Sequence, residues 1–101
     1  MRVGRRARVS AAGASAYRAA HANVWPELLE LNRVSGIRNY TIFMDGLELF
    51  SYFEVDNHEA ALAVLNDSEL ATKWQALMAP LMDSATPLAP WAVLDEVFHE
   101  D

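Results

Sequence analysis

The segment Ile37-Arg38-Asn39-Tyr40-Thr41-Ile42-Phe43-Met44-Asp45-Gly46-Leu47-Glu48-Leu49-Phe50-Ser51-Tyr52-Phe53-Glu54-Val55 decides how the rest of the chain is organised. Two runs rich in β-branched and aromatic residues, Ile37 to Met44 and Leu47 to Val55, flank Asp45-Gly46. Asp-Gly between such runs predicts a two-residue hairpin, because glycine accepts the positive φ that the turn needs. Alternation places Ile37, Asn39, Thr41 and Phe43 on one side of the first strand and Arg38, Tyr40, Ile42 and Met44 on the other. On the second strand Leu47, Leu49, Ser51, Phe53 and Val55 alternate with Glu48, Phe50, Tyr52 and Glu54. Neither strand has a cleanly polar side. Grouping Tyr40, Ile42, Phe50 and Tyr52 against Phe43, Leu49 and Phe53 leaves apolar area on both faces of the sheet. One layer of helices covers only one face. The other face is expected to meet a ligand cavity or a second subunit, and a homodimer through the sheet is the expectation.

Working outward, a helical pair precedes the hairpin. Ala14 to Ala22 is rich in alanine, the strongest helix former. Pro26 cannot extend that helix, since it lacks an N–H and crowds the carbonyl four residues earlier. It biases Trp25 away from the α region and suits the first position of a second helix, Pro26 to Val34. That helix carries an apolar stripe of Leu28, Leu31 and Val34, widened by Leu29, and Ser35-Gly36 ends it. Val3 to Val9 reads as the first strand, although Arg5 and Arg6 interrupt its apolar pattern. After the hairpin, Asn57 caps a helix to about Leu65 that buries Ala61, Leu62 and Leu65. Ser68 caps another to about Met78, with Leu70, Leu77, Met78 and Leu81 on its apolar side, and Pro80 ends it. Ser84 to Pro90, with two prolines, reads as a loop, and Val93 to His99 as the last strand. Strand, helical pair, two strands, helical pair, strand is the β-α-β-β-α-β order of an α+β, ferredoxin-like domain with an antiparallel sheet.

The 101 residues form one domain, 1–101, and their 52% hydrophobic content supplies a core. No apolar run approaches the ~18 residues that span a bilayer. Met1-Arg2-Val3-Gly4-Arg5-Arg6 has charge without a following apolar stretch, so no signal peptide is expected. The absence of cysteine rules out disulfides and thiolate chemistry and fits a cytoplasmic location. A net charge of −6 argues against nucleic acid and anionic membrane as partners. Five of the eight cationic residues precede position 20, too scattered for a phosphate-tracking surface. The expected partner is uncharged or is another protein.

Among groups able to do chemistry, His21 stands out. Imidazole exchanges a proton near neutral pH, and this one sits at a helix end before a chain reversal, with Trp25 close by. Tyr17 lies four residues earlier, on the same helical face. A capping or surface role explains His21 equally well, and Tyr17, Tyr40 and Trp74 fit structural roles on sequence alone. The three histidines lie at 21, 58 and 99, without helical pairing, so no metal site is expected. No Gly-rich phosphate loop occurs, and no serine has an evident base. Glu27, Glu54 and Glu96 read as solvated or dipole-facing carboxylates.

His21, the Trp25-Pro26-Glu27-Leu28 run, Gly36, Asn39-Tyr40 and the closing Glu96-Val97-Phe98-His99 occur in order along essentially the whole chain. In these elements the chain resembles the L-rhamnose mutarotase family. The resemblance implies a dimeric α/β-barrel type of ferredoxin-like domain and an isomerase that interconverts sugar anomers without a cofactor. It implies that His21 is the proton donor and that Tyr17, Tyr40 and Trp74 contact a small neutral monosaccharide, L-rhamnose or a close 6-deoxy sugar. Aromatic faces with polar tips suit such a ligand. The family commonly places a second Trp after the first; here Gln75 stands instead, at the edge of the expected sugar site. The complementary base is open among water, a carboxylate and a phenol. Two other readings share the frame: a small dimeric α/β-barrel monooxygenase-like enzyme, and a non-catalytic dimeric ligand-binding module.

Overall fold

The computed structural model describes residues 1–83 and 91–101; the loop expected at 84–90 lies outside the described residues. Four strands, β1 (Arg2–Arg8), β2 (Arg38–Asp45), β3 (Glu48–Glu54) and β4 (Ala92–Leu94), form one antiparallel sheet in the order β2-β3-β1-β4. Between β1 and β2 lie helices α1 (Ala14–Ala22) and α2 (Pro26–Val34), and after β3 lie α3 (His58–Asn66) and α4 (Glu69–Met78). This is the ferredoxin-like arrangement.

Local chemistry explains the boundaries. Trp25 is extended (φ −57, ψ 128) before Pro26, which starts α2. The Asn57 Oδ1 accepts from the Ala60 N–H at 3.0 Å, and the Ser68 Oγ accepts from the Ala71 N–H at 3.2 Å. Both are side-chain N-caps. Pro80 falls inside a short 3₁₀ turn, Ala79–Leu81, which continues the chain from α4.

All four helices cover one face of the sheet. Val3, Ala7, Leu49, Ser51 and Phe53 on that face are buried, whereas Arg6, Phe43 and Phe50 on the other are exposed. One part of the core joins Ala7, Val9, Tyr17, Leu49, Met78 and Met82, and the other joins Val3, Ile37, Phe53, Val55 and Ala61. Gly13 is where α1 meets the segment after α4. A Cβ there would lie 2.4 Å from the Leu81 carbonyl oxygen, so only glycine allows the approach.

The structure corrects several expectations. The hairpin pairs Asp45 with Glu48, so Gly46-Leu47 forms the turn, with Gly46 at φ 60. Glycine at the first central position is what a type II′ turn requires. Ile42 pairs with Ser51 and Met44 with Leu49. Tyr40 and Ile42 therefore lie with Leu49 and Phe53 on the covered face, and Phe43 with Phe50 and Tyr52 on the open one, unlike the grouping taken from alternation. A bulge between Arg38 and Thr41, with Asn39 at φ 53, inserts one residue. That shift turns both Ile37 and Tyr40 toward the helices, which strict alternation forbids.

The apolar stripes are narrower than periodicity implied. Leu28 is buried, but Leu29, Val34, Leu62 and Leu77 are exposed, because the inward positions of α2, α3 and α4 are taken by Leu28, by Ala61, and by Ala71 with Met78. The last strand spans three residues rather than seven. Beyond Leu94, Val97 and Phe98 are exposed, with no covering layer among the described residues, so no side-chain burial there rewards continued pairing.

Candidate functional site

A cavity of about 170 Å³ opens between the helices and the covered face of the sheet. Helix α1 contributes His21 and Tyr17, whose rings stack at 4.1 Å. The His21 Nδ1–H donates to the Tyr17 carbonyl oxygen at 2.9 Å. A carbonyl only accepts, so this bond fixes the tautomer and leaves Nε2 as the exchangeable position. No second hydrogen-bond partner of this ring occurs among the described residues. Helix α4 contributes Trp74, which meets His21 edge-on at 5.4 Å and Trp25 edge-on at 5.2 Å. The Pro26 junction thus buttresses Trp74, and Trp74 buttresses the imidazole.

The sheet supplies the opposite wall. Tyr40 reaches it through the β2 bulge, with its ring 5.5 Å from that of Phe53. Arg5 on β1 donates from Nη2 to the Tyr40 hydroxyl oxygen at 2.6 Å and from Nε to the Oγ of buried Ser51 at 3.0 Å. With one lone pair of Tyr40 engaged by a cation, its own O–H is free to point at a ligand. Tyr17 is buried, and burial pushes its phenol far above the ordinary value; nearby Tyr40 adds to this and Arg5 opposes it. Tyr17 is therefore a hydrogen-bond donor at any physiological pH.

All five residues expected from sequence line this one cavity: Tyr17, His21, Tyr40 and Trp74 on its walls, and exposed Gln75 at its rim. Sequence reasoning missed Arg5, Asn32, His58 and Trp91, which also line it. Arg5 had a signal: a cation at an inward position between Val3 and Ala7, taken as an interruption of the strand pattern. No Asp or Glu lines the cavity among the described residues. Nor does any group of three or more His, Asp or Glu there offer a metal site.

The sequence profile described as L-rhamnose mutarotase matches residues 2–100. The chain belongs to the L-rhamnose mutarotase family. L-rhamnose mutarotases of Listeria monocytogenes and Bacillus subtilis are 38% and 35% identical, covering 82% and 84% of this chain and the same shares of their own. That of Sinorhizobium fredii is 37% identical over 93% of this chain and 92% of its own length. The crystal structure of an L-rhamnose mutarotase from Formosa agariphila superposes with a TM-score of 0.83 at 28% identity, over 100% of this chain and 99% of that one. As a member of this mutarotase family the protein is an isomerase, which favours that reading over the monooxygenase-like and non-catalytic ones. Among the described residues, no helix is long and apolar enough to cross a membrane.

Proposed function

We infer that the protein interconverts the α and β anomers of L-rhamnose, or of a close 6-deoxy sugar, by general acid-base catalysis. The observation that carries this reading is the tethered imidazole: His21 Nδ1 is held by the Tyr17 carbonyl, leaving Nε2 for a ligand in an aromatic cavity. Protonated Nε2 delivers its proton to the ring oxygen as the C1–O5 bond breaks. The anomeric hydroxyl loses its proton, and the aldehyde forms at C1. Rotation about C1–C2 and closure by the reverse steps give the other anomer. With no carboxylate on the described walls, the second proton passes through water or a wall phenol. Positioned proton transfer contributes about 10² to 10⁴-fold, and mutarotation is already measurable in water. Trp74 and the Tyr17 and Tyr40 rings suit the C–H faces of a neutral sugar, and their polar tips its hydroxyls.

The protein acts as a homodimer formed through the open sheet face. In support, Phe43, Phe50, Leu94, Val97 and Phe98 are all exposed on the single chain.

Saturation transfer between anomeric protons, run on L-rhamnose, L-mannose and L-fucose with and without protein, tests the substrate. Faster exchange with L-rhamnose than with the other two is expected. Protein-independent exchange for all three would remove the assignment.

A further inference from the structure

Arg5 is the one permanently charged side chain on the cavity wall among the described residues. Its partners are all neutral: Ser51 Oγ and the Tyr40 hydroxyl by hydrogen bonds, and the rings of Trp91 and Phe53, 4.5 and 5.0 Å from Cζ. They fix the guanidinium without cancelling its charge. Elsewhere Arg2, Arg8, Arg33 and Arg38 each pair with a carboxylate. Two of the five guanidinium N–H groups are engaged, which leaves three donors to offer.

The chain carries 14 acidic residues, yet none lines the cavity, and positions 84–90 contain no Asp or Glu. His58 shares the wall, edge-on to Phe53 at 5.5 Å, and supplies an imidazole rather than a carboxylate. A half-buried charge without a counter-ion is costly unless a ligand brings the opposite sign. A planar guanidinium fork matches the two oxygens of a carboxylate. A carboxylate at C6 of a sugar leaves the anomeric hydroxyl free to react.

We propose that Arg5 is a specificity-determining residue that binds the carboxylate of a hexuronate, so that the site exchanges the anomers of 6-carboxylate sugars as well as neutral ones. The inference rests on the anomer-exchange reading above. A single guanidinium suits a monoanion, and a phosphate dianion would leave a negative charge unpaired in the cavity.

The test compares protein-dependent anomer exchange for matched pairs, D-mannuronate with D-mannose and D-galacturonate with D-galactose, with L-rhamnose in every series. In the wild type, at least one uronate should exceed its hexose by about tenfold or more in kcat/KM, the scale of a charge-assisted hydrogen bond. That advantage should shrink in 0.5 M salt. Arg5→Gln should abolish the uronate-to-hexose ratio, and Arg5→Lys should keep part of it; a ratio within one variant is insensitive to general damage. If Arg5→Gln does not fold, the wild-type ratio and its salt dependence decide alone. L-rhamnose exchange without any uronate advantage would overturn this inference and leave the broader reading standing. So would an advantage that survives Arg5→Gln. Absence of exchange with every sugar would overturn both.

Discussion

His21 is oriented by its own helix: the carbonyl one turn back holds Nδ1, and Tyr17 and Trp74 fix the ring plane. The i, i+4 spacing of Tyr17 and His21 was legible in the sequence, because helical geometry alone puts them side by side. Arg5 was legible only as an inward cation on the first strand; its role was not, since nothing local says that Ser51 and Tyr40 wait for it across the sheet. Tyr17 carries a pH consequence. Burial raises its folded pKa above the ordinary value of 10.0, so the neutral phenol favours the fold fully below that value. The contribution is lost as pH rises above 10. Alkaline unfolding followed by circular dichroism should therefore be less steep for Tyr17→Phe than for wild type; identical profiles would contradict the burial account. At the rim, Gln75→Trp should tighten L-rhamnose binding by on the order of 1 kcal/mol through an added aromatic contact. Titration giving equal affinities would mean that position 75 does not reach the sugar.

At the scale of elements, the helical pairs and their caps followed from Ala, Pro, Asn and Ser at readable positions, and α1 and α2 span the expected residues. The β2 bulge did not, because inserting Asn39 depends on satisfying both Ile37 in the core and Tyr40 in the cavity. Asn tolerates the left-handed region and its Nδ2 donates to Glu54 at 2.8 Å. Asn39→Val should cost about 1–2 kcal/mol in urea unfolding, whereas Asn39→Gly should stay within about 0.5 kcal/mol. Equal midpoints for wild type and Asn39→Val would argue against the strain. Gly13 sets the spacing between the helix bearing His21 and the turn after the helix bearing Trp74. Gly13→Ala should destabilise by about 1–3 kcal/mol, the usual penalty for overpacking; an unchanged melting midpoint would contradict the close contact.

For the whole molecule, the two-sided apolar character of the sheet was legible, but which residues share a face was not, since face follows register and register follows the turn. With Phe43 and Phe50 on the open face, the protein is expected to sediment at twice the 11.3 kDa chain mass, and Phe50→Glu to shift it toward monomer. A wild-type monomer at micromolar concentration would contradict the dimer. Catalysis should depend on the tethered imidazole above all. The direct measurement is saturation-transfer exchange of the L-rhamnose anomeric protons with wild type and His21→Ala, both shown to be folded by circular dichroism. The account predicts that His21→Ala loses about two or more decades of the protein-dependent rate. A folded His21→Ala exchanging L-rhamnose at the wild-type rate would contradict it.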